Sequence, residues 1–322
     1  MNAHLRRICK RWGDIDALKI VINKGANINS TDWRGQTALI LAVNNGYKEM
    51  VKILLANDAN VNSADHRGNT ALIWAARLTR DSNQIEIIEI LLAAGAYINH
   101  ANRCGTTALM EASIRGNINV VHLLLIHKAH VNHMNNTGQT ALIESCIAGH
   151  NTIVHILLGV SANINHANMY GGTALTCAEN AGHREIVKIL LASGANINHA
   201  DEDGDTALIS AVENDDIKMV KILLEARANI NQETKRGDTA LMCAINNCCI
   251  NTTLVKLLID KGADIDHANI KGHTFLTRIV KYGTQHIKEI ISMYLCKRIS
   301  NNYFDIISRD IFEEIEQYLK KN

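Results

Sequence analysis

An excess of charge of either sign is missing from this chain: 33 Lys and Arg stand against 32 Asp and Glu over 322 residues, a formal net charge of +1. That balance argues against a general binder of polyanions while leaving room for local charged patches. Long apolar runs are missing too. No stretch approaches the ~18 residues needed to cross a bilayer. The N-terminal Met-Asn-Ala-His-Leu-Arg-Arg-Ile-Cys-Lys-Arg-Trp lacks the apolar core of a cleaved secretory signal. The eight cysteines (Cys9, Cys104, Cys146, Cys177, Cys243, Cys248, Cys249, Cys296) follow no framework spacing, which points to a reducing compartment. Proline is absent while Asn and Ile abound, a bias of an AT-rich genome that concerns source rather than fold. No nucleophile–base–orienter set, phosphate loop or paired-carboxylate motif occurs, so no catalytic residue and no cofactor is expected.

What is present is a repeat. Gly-x-Thr-Ala-Leu recurs with its threonine at Thr37, Thr70, Thr107, Thr140, Thr173, Thr206 and Thr239, and as Thr-Phe-Leu at Thr274, at successive spacings of 33, 37, 33, 33, 33, 33 and 35. A period near 33 predicts a stacked solenoid, an architecture that offers surface rather than a pocket. Within one repeat, Asp32-Trp-Arg-Gly35 reads as a turn. Thr37 caps a short apolar helix over Ala38–Val43, Asn45-Gly46 breaks it, and a second helix over Lys48–Ala56 carries Met50, Val51, Ile53, Leu54 and Leu55. Ala59-Asn-Val-Asn62 then extends into the next turn. Helices of two or three turns cannot bury their stripes alone, so every repeat needs its neighbours. Leucines two residues past each threonine, from Leu39 to Leu276, and small residues three further on (Ala42, Ala75, Ala112, Ser145, Ala178, Ala211, Ala244) fit close helix approach, with Ile279 departing in the terminal unit.

Residues 171–198, Gly-Gly-Thr-Ala-Leu-Thr-Cys-Ala-Glu-Asn-Ala-Gly-His-Arg-Glu-Ile-Val-Lys-Ile-Leu-Leu-Ala-Ser-Gly-Ala-Asn-Ile-Asn, resemble an ankyrin repeat nearly end to end. The resemblance runs over roughly 3–298. It implies an all-α ankyrin-repeat solenoid of about nine helix-turn-helix repeats with β-hairpin-like fingers: an array over 1–299, with an N-terminal cap repeat at 1–33 and repeats over about 34–299. A C-terminal helical cap or tail over 300–322 follows. The family's proline becomes Ala38 and its equivalents, and its following histidine becomes Ile40, Ile73, Met110, Ile143, Thr176, Ile209, Met242 and Thr277. Apolar contact should replace the usual histidine ladder. The helix-ending glycine is replaced at Asp58, Lys128, Ser161 and Arg227; if positive φ is kept there, each costs up to ~1 kcal/mol.

His100, His133, His166, His199 and His267 follow the repeat-ending Asn or Asp. Repeats about 10 Å apart set these too far from one another for a shared zinc ion with ligands at about 2 Å, so they read as duplicated finger residues. Cys243, Cys248 and Cys249, with His273, match no zinc spacing; no metal site is expected. Asn29, Asn62, Asn99, Asn132, Asn165, Asn198 and Asn231 read as turn-stabilising side chains, and the resemblance marks them as possible targets of asparaginyl hydroxylation.

The resemblance further implies that a partner protein binds the concave face, made of fingertips and first-helix ends. Trp33, Arg34, His66, Arg67, Arg77, Arg103 and Arg115 make its N-terminal half basic. Ile147, Ala148, Met169 and Tyr170 make the middle apolar. Glu202, Asp203, Asp205 and Glu213 turn it acidic, and Lys235, Arg236, Lys271 and Lys281 return it to basic. Trp, Tyr and Arg favour hot spots, and the separated charges suit a partner with an acidic and a basic segment. A longer loop at 78–83 adds a contact or is merely tolerated. The tail from Ser308 to Asn322 reads as an amphipathic helix with Ile311, Phe312, Ile315, Tyr318 and Leu319 available to cap the stack. Its Glu313, Glu314 and Glu316, with Leu319, resemble the secretion signal of type IV effectors of intracellular bacteria. The function so implied is non-catalytic protein binding by a cytosolic monomer, delivered by a bacterium into host cytosol, without nucleic acid or membrane insertion. The alternatives are an endogenous scaffold or adaptor of a eukaryote or large virus and, less favoured, an enzyme or enzyme adaptor, for which a tail of roughly 20 residues is too short.

Overall fold

The computed structural model describes residues 1–11, 14–78, 83–245 and 250–282. The tail with Glu313, Glu314, Glu316 and Leu319, the insertion at 79–82, Cys248, Cys249 and Cys296 lie outside the described residues, as does the side chain of Lys281. Among the described residues there are seventeen α-helices and, instead of a sheet, four isolated antiparallel bridges such as Ala64 with Thr70 and Ala200 with Thr206. The fold is an all-α ankyrin-repeat solenoid whose fingers are these short hairpin-like turns.

Two compact units divide the chain, Met1–Met169 and Tyr170–Asn322. The first holds five helix pairs: α1 Asn2–Arg11 with α2 Ile15–Asn23, α3 Ala38–Asn44 with α4 Lys48–Ala56, α5 Ala71–Arg77 with α6 Gln84–Ala93, α7 Ala108–Arg115 with α8 Ile118–Ile126, and α9 Ala141–Ile147 with α10 Asn151–Gly159. The second holds α11 Ala174–Asn180 with α12 Arg184–Ala192, α13 Ala207–Glu213 with α14 Ile217–Glu225, α15 Ala240–Cys243 with α16 Thr252–Asp260, and α17 Phe275–Tyr282. Inside each unit a first helix packs on its own second helix and on the first helix of the next repeat.

The repeated residues explain the repeated elements. Thr37 sits in extended backbone and its Oγ1 accepts the Ile40 amide at 3.3 Å, closing one of the four orphan donors of α3. Thr70, Thr107, Thr140 and Thr206 do the same at 3.4–3.5 Å. Where a threonine replaces the apolar residue three on, as Thr176 does, its hydroxyl returns the bond to the Thr173 amide at 2.8 Å and completes a capping box. At the other positions Ile40, Ile73, Met110, Ile143, Ile209 and Met242 are buried, so apolar contact does stand in for a histidine ladder. The second helices bury residues at i, i+1 and i+4, for example Met50, Val51 and Leu54, or Ile186, Val187 and Leu190. Each such leucine contributes roughly 1.5–3 kcal/mol of transfer free energy.

The glycine substitutions behave as the sequence suggests. Asp58, Lys128, Ser161 and Arg227 hold φ of 61°, 67°, 63° and 66°, and Asp215 joins them at 55° where sibling repeats carry Gly46, Gly116, Gly149 and Gly182. A retained finger glycine is needed for two reasons: Gly105 has φ +79°, and a Cβ there would lie 2.8 Å from both Asn135 Cα and the Asn136 backbone nitrogen. Lys128→Gly and Arg227→Gly, both at exposed positions, should therefore each stabilise the protein by up to about 1 kcal/mol. Gly105→Ala should destabilise it by more than either gains. Urea unfolding of the three variants beside wild type measures all of this.

Candidate functional site

Two positions form each fingertip, four and three residues before the capping threonine. In the first unit they are Trp33-Arg34, His66-Arg67, Arg103-Cys104, Asn136-Thr137 and Met169; in the second, Tyr170, Glu202-Asp203, Lys235-Arg236 and Ile270-Lys271. Every one of these side chains is exposed, and the backbone explains why. The amide of one tip donates to the carbonyl of the tip before it: His66 to Arg34, Arg103 to Arg67 and Asn136 to Cys104, all at 2.9 Å, and Lys235 to Asp203 at 2.9 Å. With the main chain tied along the row, the side chains project outward. Trp33 is 77% exposed with the Arg34 guanidinium 4.4 Å from its ring centroid, a cation–π pair presented to solvent. Met169 and Tyr170 are 62% and 67% exposed. Ile270, at 73%, occupies the register of Trp33 and was not singled out from the sequence, although counting back from Thr274 finds it.

Beneath the fingertips, the residue four past each threonine lines the first helices. In the first unit this row runs Leu41, Trp74, Glu111, Glu144. Trp74 Nε1 donates to Asp65 Oδ2 at 3.0 Å, and the Arg77 guanidinium lies 4.9 Å from the indole centroid. Arg77 and Arg115 approach Glu111 Oε2 at 3.5 and 4.0 Å through Nε, so these two predicted basic residues face a largely buried carboxylate and offer less free charge than Arg67 or Arg103 at the tips. Burial, and then the charge of Glu111, raises Glu144 above the ordinary glutamate range. Trp74, Glu111 and Glu144 were missed because a helical register, not a motif, brings them to this face.

In the second unit the structure joins what the sequence kept apart. Asp203, Asp205 and Glu213 line one cleft with Lys235 and Arg236 of the following finger. Burial pushes Asp205 up to about 6, helped by Glu213, Asp201 and Asp203 and opposed by Arg236. Glu202 stands exposed at the tip beside it. Deeper in, buried Asp238 binds Arg278 and Asn269, both at 2.7 Å.

The histidine and asparagine ladders are structural. Nε2 of His100, His133, His166, His199 and His267 lies 2.8–3.1 Å from the carbonyl oxygen of Gly68, Gly105, Gly138, Gly171 and Gly237, the finger glycine of the preceding repeat. A carbonyl only accepts, so that nitrogen carries hydrogen. Among the described residues no group of three potential ligands is placed to hold a metal ion. The repeat-ending asparagines do more than stabilise their own turns: Asn29 Oδ1 accepts the Asn60 amide at 2.8 Å while its Nδ2 donates to the Asp58 carbonyl at 3.1 Å, binding one repeat to the next. Among the described residues no helix is long and apolar enough to cross a membrane.

The family model for ankyrin repeats in three copies matches residues 5–102, 80–168 and 153–234, and that for a single ankyrin repeat matches 236–270. Among curated proteins none matches the chain.

One buried group departs from this plan. Glu179 in α11 is 4% exposed, at a register occupied elsewhere by Val43, Ala76, Ser113, Cys146, Val212 and Ile245, and its Oε2 finds no hydrogen-bond partner among the described residues. Burial raises its carboxyl from 4.5 to about 7; a hydrogen bond with Ser210 works against this and the charge of Asp216 adds to it. The folded state thus holds a proton that the unfolded chain releases, so stability falls as pH rises from about 4.5 through about 7. Glu179→Gln should raise stability by about 1–3 kcal/mol at pH 8, with the difference closing by pH 5. Thermal unfolding of both proteins across that range tests it, and a gap independent of pH would contradict it.

Proposed function

The chain belongs to the ankyrin repeat family, a family of protein–protein interaction modules, and from that premise we propose that it holds a partner protein against its fingertips and first helices. The observation that carries this is the exposure of large hot-spot side chains at tips whose backbone is tied down. Trp33, Met169, Tyr170 and Ile270 leave most of their surface in water although buried positions are plentiful. Rigid exposed aromatics contribute contact area at low entropic cost on binding. Arg34, Arg67 and Arg103 suit an acidic segment of the partner; the cleft of Asp203, Asp205 and Glu213, with Glu202 at its lip, suits a basic one. Arg77 and Arg115 contribute through Glu111 rather than as free charges. The role is non-catalytic and needs no cofactor, and one chain is the binding unit.

Arg67→Glu/Arg103→Glu/Tyr170→Ala, checked for folding by circular dichroism, is the test. Affinity capture from eukaryotic lysate should recover with wild type a protein that this variant loses, with affinity lowered at least about tenfold, or ~1.4 kcal/mol. Equal capture by both would move the site off the fingertips. The glutamates Glu313, Glu314 and Glu316 near Leu319 are the sequence observation behind a role as an effector delivered into host cytosol. Removing residues 303–322 should abolish translocation from a type IV-competent bacterium and leave the array folded. Unimpaired translocation would favour an endogenous scaffold.

A further inference from the structure

The described residues hold eight second helices, and six of them carry charge. At one shared register stand Lys19, Lys52, Lys188, Lys221 and Lys256, with further acidic and basic residues along the same helices. The exceptions are α8 and α10, consecutive and in contact in the first unit, which contain no Asp, Glu, Lys or Arg and carry His122 and His155 where the lysines stand. Their exposed side chains are Asn119, Asn151 and Thr152 in the first turns, the two imidazoles, and apolar Ile118, Ile126 and Val160. Leu125 and Ile126 on α8 and Ile156 and Val160 at the end of α10 line a groove with the two imidazoles.

The end of this groove has a knob and a notch at the same register. Ile126 and Gly159 stand where other second helices have Ala56, Ala93 or Ala192. Ile126 is 72% exposed, far more than an isoleucine needs to be. Gly159 removes a side chain altogether, and a Cβ there would meet nothing within 4 Å.

We propose that the α8–α10 face docks a second copy of this chain, in place of the monomer expected from the sequence. A two-fold contact sets each surface residue against the same patch of the partner copy, so any net charge on the patch would meet its own sign and be repelled. Among the described second helices this pair alone contains no Asp, Glu, Lys or Arg, so no such charge meets its like across the axis. The two-fold arrangement also puts Ile126 of each copy into the notch at Gly159 of the other, covering apolar surface that otherwise stays in water. An anionic membrane would call for the lysines that are missing here. The contact leaves the fingertips of both copies open.

Sedimentation equilibrium of the full chain under reducing conditions, from about 1 to about 300 µM, tests the proposal. The mass should rise from 35.5 kDa towards twice that value. Gly159→Glu, which introduces the residue that Glu225 presents at this register, and Ile126→Ala, which matches Ala56, should each weaken association at least about tenfold, with circular dichroism and Tm unchanged or, for the helical glycine, raised. Should Gly159→Glu fold poorly, His122→Lys/His155→Lys decides, since five other repeats fold with lysine there. A constant 35.5 kDa mass, or association equal in wild type and the folded variants, would overturn the proposal. So would a monomer that co-floats with neutral phosphatidylcholine vesicles, an outcome that assigns the face to lipid.

Discussion

Each repeat in this chain depends on a bond made by the last asparagine of the one before it. Asn29, Asn62, Asn99, Asn132, Asn198 and Asn231 each accept a backbone amide of the next repeat at 2.8 Å, from Asn60, Tyr97, His130, Asn163, Asn229 and Asp264. The amide group of the side chain then donates back, to Asp58, Gly95 and Ser161 carbonyls in three of these. An amide side chain is needed for both directions at once; a carboxylate accepts but does not donate. Helices of four to ten residues are too short to persist alone, so their burial depends on a neighbour held at a fixed offset. The hydrogen bonds set that offset, and buried leucines supply most of the free energy.

This division of labour explains what could be read in advance. Positions that face a neighbouring repeat meet the same environment every 33 residues, so Thr37, Leu39, Ala42 and their equivalents repeat and were legible as a cap, a core residue and a close approach. The same periodicity exposed the strained sites, because a missing glycine at Lys128 or Arg227 stands out against Gly25, Gly95, Gly194 and Gly262. Positions that face solvent meet no such constraint. Trp74, Glu111 and Glu144 share a register, and their partners, Arg77 beside Trp74 and Glu111 and Asn135 at Glu144, depend on rotamers that no motif encodes. The inter-repeat role of the asparagines was hidden for another reason: their partners are backbone groups about 30 residues away, which have no residue type.

Departures from the repeat's own rule are informative in proportion to what they cost. Thr239 is buried at the start of a helix of only four residues, α15, and its hydroxyl has no hydrogen-bond partner among the described residues. A lost cap costs about 1 kcal/mol, and flanking repeats can supply that. Glu179 is a larger matter, since a carboxylate in an apolar register must either lose its charge or leave an acceptor unsatisfied in the interior. Nearby, Arg184 and Asp216 pair at 2.7 Å on the surface, too exposed to compensate for it strongly.

A stacked array frees two surfaces from its packing constraint, the fingertips and the outward side of the second helices, and composition drifts independently on each. At the fingertips the first unit presents Trp, Arg and Met, and the second presents Tyr, Asp, Glu, Lys and Ile. On the other side most repeats retain Lys and Glu, residues that keep a helix soluble and contribute little else. Loss of every charge from two adjacent helices, with a protruding isoleucine beside a glycine, cannot be assigned to core packing, because none of those side chains lies in the core. Solubility opposes it. An apolar surface is satisfied when another surface covers it, and a face without charge can cover itself without setting like charges together.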